Sequence, residues 1–262
     1  MRKKGIFFIT GESFRIGLQG TRVRGTSDSL EEQEMATMSQ LSFFSRIKEE
    51  VDFKIKIITY STDFDNKIRE WFKEYDADIS FLDNLIGYDN LYKECVSTID
   101  LSEDIDFVFF MRIDLILKKK FLDVFILDEE KIKYPSVCWI TSFLDPVTVP
   151  HHKTFKKNRH RVNDLMLYVP KKFFNELKDG EILITPHEAC DFMGDYVYNN
   201  VDFFLDTYHD SDSYKDRNPI YKIANRPESN KWYSEGYTVG HDPILDNNKS
   251  YSEVFTDEEI LK

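Results

Sequence analysis

The feature that most constrains the fold is a series of short apolar runs separated by amphipathic stretches. The runs "GIFFIT" (5–10), "KIKIITYS" (54–61) and "DFVFFM" (106–111) have the length and the β-branched and aromatic content of buried strands. "ADISFLD" (77–83) fits a further strand, and helical patterns lie between the runs, at about 30–50, 65–75 and 89–99. This alternation predicts a mostly parallel α/β sheet with helices on both faces.

The second half of the chain continues the pattern less regularly. Two more strands are predicted at "KYPSVCWI" (133–140) and "DLMLYV" (164–169), and Pro170 is expected in the first turn of the next helix. A helix at 185–200 with Thr185 as its N-cap and a strand at 201–208 are then expected.

Without an internal repeat or a low-complexity linker, the sequence favours one domain over residues 1–262. Its core is expected at about 5–208. Residues 209–262, which are polar, aromatic and rich in turns, are expected to form a C-terminal wrap or tail.

Bulk composition narrows the functional class. The chain has 262 residues, of which 41% are hydrophobic and 31% charged, and a net charge of −12 disfavours general binding to nucleic acid or anionic membranes. Three cysteines without a CxxC motif support neither a zinc ribbon nor a disulfide framework. "GIFFIT" is too short for a signal-peptide core, and no run approaches a membrane span. A cytoplasmic protein without a membrane span is therefore expected.

An unusual charged pair follows the apolar run at 106–111. Arg112 and Asp114 are two residues apart, so in an extended segment their side chains project to the same side. In open α/β sheets, ligands bind beyond the carboxyl ends of the strands. A carboxylate there can hold a divalent metal or accept sugar hydroxyls. The alternative is a partly buried ion pair without a ligand.

The loop after the first strand, "GESFRIGLQGTRVRGTSD" (11–28), is rich in glycine and arginine. Gly11 permits close backbone approach, and Arg15 offers a planar fork of donors to phosphate oxygens. The loop matches neither a Walker A motif nor GxGxxG. It is either a diphosphate site or an ordinary solvated loop.

A basic segment, "HHKTFKKNRHRVND" (151–164), contrasts with the acidic chain. It can close over an anionic donor and shield the charge that develops on a leaving diphosphate, or it is a solvated charge run. Three more acids lie in the second half of the chain: Asp164, Glu188 and Asp191. Glu188, three residues beyond the presumed cap Thr185, is a candidate general base or a capping carboxylate, and Asp191 would share its helix face as a reserve candidate or be a plain exposed acid. Asp164 lies at the start of an apolar strand, where a loop carboxylate is the simpler interpretation.

Together, "DFVFFMRIDL", "VNDLMLYVPKKFF" and "TPHEACDFMGDYV" resemble motifs of GT-A-fold glycosyltransferases over residues 5–205. The resemblance is to the capsular and large-DNA-virus (chlorovirus-like) glycan types, which carry R-x-D in place of the usual D-x-D. It implies a GT-A-like, Rossmann-like sheet.

The resemblance also implies roles for individual residues. Asp114 corresponds to the last acid of D-x-D, which binds Mn²⁺ or Mg²⁺ and the donor phosphates, whereas Arg112 replaces the first acid. Asp164 or Glu188 would face the acceptor, one of them as the base that deprotonates its hydroxyl. Three residues would lie near the nucleotide and its diphosphate: Thr10, Gly11 and Arg15.

The expected activity is therefore transfer of a sugar from a nucleotide-diphosphate donor, most simply a UDP-sugar, to a hydroxyl of a glycan or glycoprotein. Capsid or surface glycan synthesis would be its setting. Two alternatives stay open. "GLQGTRVRG" faintly resembles the glycine-rich signature of sugar nucleotidyltransferases, and the 14 tyrosines and three tryptophans would suit a non-catalytic glycan-binding module. Inversion or retention at the sugar carbon stays open as well.

Overall fold

The computed structural model describes residues 2–16, 23–135, 165–182, 200–204, 220–224 and 260–262. Its strands are β1 (Lys3–Gly11), β2 (Arg15–Ile16), β3 (Val23–Arg24), β4 (Val51–Tyr60), β5 (Asp78–Leu82), β6 (Phe107–Arg112), β7 (Leu115–Leu117), β8 (Ile132–Tyr134), β9 (Met166–Pro170), β10 (Val201–Phe203) and β11 (Tyr221–Ile223). Its α-helices are α1 (Leu30–Ile47), α2 (Asp65–Trp71), α3 (Tyr88–Ser97), α4 (Lys120–Val124) and α5 (Phe174–Lys178).

Seven strands form one sheet in the order β10-β8-β9-β6-β1-β4-β5. Within it, β5, β4, β1 and β6 are mutually parallel, and β9 is antiparallel to both of its neighbours. The predicted mostly parallel α/β sheet is confirmed. Because the chain runs outward from β1 through β4 to β5 and then returns to β6, the topological switch point lies between β1 and β6. Ligands of open α/β sheets bind at such a point, beyond the carboxyl ends of the strands.

Helices cover both faces of the sheet. On one face, Phe7 of β1 meets the rings of five other phenylalanines at centroid distances of 5.1 to 5.9 Å, with α1 contributing Phe43 and Phe44. On the other face, α3 and α5 pack against Phe8 and Phe110, whose rings stack at 4.8 Å. Burial on both faces explains why the strands are continuous apolar runs.

Several predicted boundaries shift. Pro170 does not open a helix; it is the last residue of β9, and a 3-10 turn over Lys171–Phe173 precedes α5. The strand predicted at 133–140 is observed as Ile132–Tyr134. Residues 136–140, 185–199 and 205–208 lie outside the described residues.

The described residues of the predicted C-terminal wrap lie on the core beside β7. Strand β11 pairs antiparallel with β7, Ile260 forms a bridge with Lys118, and the Leu261 N–H donates to the Leu117 carbonyl at 3.0 Å. These contacts anchor the strand that directly follows Asp114. In the described parts of the chain, no helix is both long and apolar enough to cross a bilayer.

Candidate functional site

The turn after β6 brings the predicted charged pair together. Arg112 ends β6, and a two-residue turn of Ile113 and Asp114 leads into β7. The Arg112 guanidinium donates from Nε to Asp114 Oδ1 at 2.8 Å and from Nη2 to Oδ2 at 2.5 Å. This two-pronged pairing fixes the orientation of both side chains at the carboxyl end of the strand.

The loop after β1 supplies a second guanidinium. Arg15 Nη2 donates to Asp114 Oδ2 at 3.0 Å, and Arg15 Nη1 lies 3.8 Å from Glu12 Oε2. Asp114 is 4% exposed and Arg15 7%. The Arg15–Asp114–Arg112 cluster, as we call it, therefore joins the ends of β1 and β6 at the switch point.

The backbone after β1 is shaped to deliver Arg15. Gly11 has a φ of +121°, a conformation that side-chain-bearing residues rarely adopt, and its carbonyl accepts the Thr59 hydroxyl at 2.7 Å. Phe14 has a φ of +50°, and its carbonyl accepts the Gly25 N–H at 2.8 Å. Arg15 then enters β2, which pairs antiparallel with β3. Residues 17–22, which follow β2 in the sequence, lie outside the described residues.

Buried polar residues of α1 hold both loops in register. Gln33 accepts the Phe14 N–H at 3.0 Å through Oε1 and donates to the Ile113 carbonyl at 2.9 Å through Nε2. The Gln40 Nε2 reaches the carbonyls of Arg112, Ile113 and Leu115 at 3.0 to 3.3 Å. Helix α1 thereby satisfies carbonyls that the tight turn cannot pair by itself.

Further polar groups line the neighbouring end of β4. The Arg24 guanidinium lies over the Tyr60 ring, 5.7 Å from its centroid. Burial raises the pKa of the Tyr60 phenol, and the negative charge of Glu12 raises it further. Glu12, Tyr60, Gln33 and Gln40 were not among the predicted site residues. One sequence feature could have pointed to the two glutamines, because Gln33 and Gln40 are seven residues apart and fall on the core-facing side of α1.

Thr10 has a different environment from the charged cluster. Its side chain is buried. The Thr10 hydroxyl lowers the pKa of the Cys95 thiol of α3, against the larger effect of burial, which raises it. Burial nevertheless raises the pKa of the Cys95 thiol to about 12. Among the described hydrogen bonds, none joins the Thr10 hydroxyl to Arg15, Arg112 or Asp114. Its expected contact with a nucleotide stays a prediction.

The three predicted acceptor-side acids and the basic segment lie outside the described residues: Asp164, Glu188, Asp191 and 151–164. Leu165, however, is described, and its carbonyl accepts the Arg112 N–H at 3.2 Å. The chain is thus tied to the cluster one residue after Asp164.

The described residues do not suit the expected Mn²⁺ or Mg²⁺. Such ions take several oxygen ligands, whereas both oxygens of Asp114 accept guanidinium hydrogen bonds. Within the described ranges, no group of three or more histidine, cysteine or carboxylate side chains is placed to hold a metal. A metal on Asp114 would therefore lie directly beside the guanidinium of Arg112 or Arg15.

Comparison with known proteins gives distant structural likenesses. No protein-family model and no curated protein matches the sequence. A 4-diphosphocytidyl-2C-methyl-D-erythritol synthase from Anaerococcus prevotii is 13% identical, with 77% of this chain and 86% of that chain covered and a TM-score of 0.43.

Two glycosyltransferase structures are also similar. For the glycosyltransferase GlyE of Streptococcus pneumoniae, the identity is 14%, the coverage 79% of this chain and 46% of that chain, and the TM-score 0.39. The match therefore spans less than half of GlyE. For the galactosyltransferase LgtC, with donor and acceptor sugar analogues bound, the identity is 9%, the coverage 75% and 66%, and the TM-score 0.39. At TM-scores below 0.5 these likenesses assign no function to the chain.

Proposed function

We propose that the chain is a glycosyltransferase that moves a sugar from a nucleotide-diphosphate donor, a UDP-sugar, to a hydroxyl of a glycan or glycoprotein acceptor. Capsid or surface glycan synthesis is the proposed setting. The observation that carries the proposal is the Arg15–Asp114–Arg112 cluster at the switch point between β1 and β6.

The cluster suits the phosphates of such a donor. A guanidinium presents five N–H donors in a rigid fork, which matches the spacing of phosphate oxygens. Asp114 orients Arg112 through two hydrogen bonds and Arg15 through one, so little ordering remains to be done when a ligand arrives. Gly11, at a φ of +121°, allows the backbone turn that leads from β1 to Arg15.

In the proposed reaction, the acceptor oxygen forms a bond to the anomeric carbon of the donor sugar. The bond between that carbon and the β-phosphate oxygen breaks, and its electron pair leaves with the nucleoside diphosphate. The guanidiniums of Arg15 and Arg112 stabilise the negative charge that grows on the leaving phosphate. No step is assigned to a metal, because the oxygens of Asp114 are engaged by these two groups.

A carboxylate on the acceptor side takes the hydroxyl proton. Asp164 and Glu188 are the candidates for this carboxylate, with Asp191 in reserve. The basic segment 151–164 is proposed to shield the diphosphate.

Donor binding and hydrolysis test the proposal. Thermal shifts are measured with uridine, UMP, UDP, UDP-sugars, GDP-sugars and a CMP-sugar, and sugar release is followed for each donor. We expect the melting temperature to rise with UDP and UDP-sugars and to change little with UMP, because the cluster is proposed to hold the diphosphate. Arg15→Met should abolish the rise, whereas Arg2→Met, at an exposed ion pair with Glu49, should preserve it.

Other outcomes exclude the proposal. If no nucleotide sugar raises the melting temperature and none is hydrolysed, the chain is not a glycosyltransferase. Release of pyrophosphate from a nucleoside triphosphate and a sugar 1-phosphate would instead establish a sugar nucleotidyltransferase.

A further inference from the structure

We infer that the donor site works without a divalent cation, because the Arg15–Asp114–Arg112 cluster supplies the positive charge that a metal would bring to the diphosphate. This inference rests on the proposed function and concerns the same site. It differs from the expectation, based on resemblance alone, that Asp114 holds Mn²⁺ or Mg²⁺.

The first argument is the coordination of Asp114. Oδ1 accepts Arg112 Nε at 2.8 Å, and Oδ2 accepts Arg112 Nη2 at 2.5 Å and Arg15 Nη2 at 3.0 Å. A metal bound at either oxygen would sit against a guanidinium, a position that like-charge repulsion disfavours. The repulsion is little screened, because the carboxylate is 4% exposed.

The second argument is charge. Replacing a carboxylate by a guanidinium, as at position 112 relative to D-x-D, changes the local charge by two units, which is the charge of one divalent cation. The arginine and the acid of R-x-D therefore carry together the same net charge as the two acids of D-x-D with one bound divalent cation. Arg15 adds a second cation, and Glu12 balances it from 3.8 Å.

The third argument is rigidity. A metal fixes phosphates through its coordination geometry, and a substitute for it must be held equally firmly. Gln40 hydrogen-bonds the carbonyls around Asp114, Gln33 joins this turn to the Phe14 N–H beside Arg15, and the Ile113 N–H donates to the Thr10 carbonyl at 2.8 Å. The backbone beside each arginine is thereby braced from α1 or β1. Pre-organised donors of this kind stabilise developing charge without reorganising.

The test measures UDP binding to the full chain by calorimetry and thermal shift, once with EDTA and once with MnCl₂ or MgCl₂. We expect the dissociation constants in EDTA and in metal to agree within about threefold, less than the tenfold that 1.4 kcal/mol represents. UDP is the probe because it carries the diphosphate without the unidentified sugar.

Arg112→Asp provides the second arm. This variant places an acid at position 112 as well as at position 114, and it removes the two charge-assisted hydrogen bonds from Arg112 to Asp114. UDP binding in EDTA should therefore weaken about 10- to 100-fold. Mn²⁺ should recover much of the loss, which makes the variant metal-dependent where the wild type is not. Arg2→Asp is the matched control, since it makes the same charge change at an exposed ion pair and should leave binding unchanged.

Arg112→Lys covers the case in which Arg112→Asp fails to fold. Lysine keeps the positive charge but lacks the planar set of N–H donors of the guanidinium. We therefore expect weaker UDP binding that still does not respond to metal. If wild-type binding disappears in EDTA and returns with Mn²⁺, the inference is wrong and the proposed function stands. If UDP and the other nucleoside diphosphates fail to bind under both conditions, the inference and the proposed function fall together.

Discussion

The Asp114 carboxylate accepts a hydrogen bond from Arg15 Nη2 at 3.0 Å across 99 positions of sequence. The contact joins the loop after β1 to the turn after β6, the two segments on either side of the switch point. Arg112 holds the same carboxylate from its own strand. One nearly buried carboxylate therefore sets the positions of two guanidiniums.

Removing the Asp114 carboxylate should destabilise the folded protein. Asp114→Ala leaves two largely buried guanidiniums without their shared partner, and breaking a buried pair in this way typically costs ~3–5 kcal/mol. Urea denaturation should show a loss of that order in the free energy of unfolding. Asp123→Ala, which removes an exposed carboxylate 3.4 Å from Lys120, should change it by less than ~1 kcal/mol. Equal effects of the two substitutions would contradict the role given to Asp114.

The glutamines of α1 should matter for both stability and binding. Gln40→Leu keeps a side chain of similar size but removes the donor to the carbonyls of Arg112, Ile113 and Leu115. We therefore expect the free energy of unfolding to fall by ~1–3 kcal/mol. UDP affinity should fall as well, because the turn that carries Asp114 is no longer braced. Glu34→Leu, at an exposed position of the same helix, is the control and should stay within ~0.5 kcal/mol of wild type. A stable Gln40→Leu protein with wild-type affinity would show that α1 does not brace the turn.

Gly5 is required by packing in the middle of the sheet. A Cβ at this position would lie 2.2 Å from Phe107 Cζ, so Gly5→Ala forces β1 or the Phe107 ring to move. We expect a destabilisation of ~1–3 kcal/mol or more in urea denaturation. Combining Gly5→Ala with Phe107→Leu should cost less than the sum of the two single substitutions, since the smaller side chain relieves the overlap.

Gly180→Ala separates this effect from backbone strain. Gly180 has a φ of +77° but no atom within 4 Å of an added Cβ, so only a conformational cost of ~1–2 kcal/mol applies. No coupling with Phe107→Leu is expected there. Coupling of equal size at both glycines would argue against the overlap at Gly5.

Cys95 should make stability depend on alkaline pH. Burial raises the pKa of its thiol to about 12 in the folded state, above the ordinary value of 9.0. The folded state therefore keeps its proton where the unfolded state loses it, and the contribution is present below pH 9 and is lost as pH rises toward 12. The stability difference between wild type and Cys95→Ala should shrink between about pH 8 and about pH 10.5.

A reactivity measurement checks the same point independently. In a Cys138→Ser, Cys190→Ser background, Cys95 is the only thiol. Because it is buried and un-ionised, a thiol reagent at pH 8 should modify it slowly in the native protein and rapidly in urea. Rapid modification of the native protein would disprove the buried, protonated thiol.

The order of strands and helices in the first 112 residues could be predicted from local pattern. The runs at 5–10, 54–61 and 106–111 were located within a few residues because strands buried on both faces must be continuously apolar. Their true ends, such as Lys3 and Val51, extend beyond the apolar runs. Strand ends are set by pairing with neighbours, which the local sequence does not express.

The candidate site, like the fold, could be predicted from the sequence only in part. Spacing predicted that Arg112 and Asp114 project together from a strand end, and they do meet there. The structure brings them together through the turn after β6, however, and not along the extended segment that the prediction assumed. Glu12, Tyr60 and the glutamines of α1 were missed, since their roles depend on which helix packs on which loop. Pro170 was misplaced because a proline is tolerated at the end of a strand as well as in a first helical turn.

The sequence by itself determined an α/β chain whose mostly parallel strands carry arginine and carboxylate groups near their carboxyl ends, because periodicity and apolar content are local properties. Only the tertiary structure decided that β1 and β6 are neighbours, which placed Arg15 against Asp114 and turned a two-residue charge pair into a three-residue cluster. The pairing of these strands depends on the burial of whole faces of the sheet, and that is a property of the assembled core rather than of any segment.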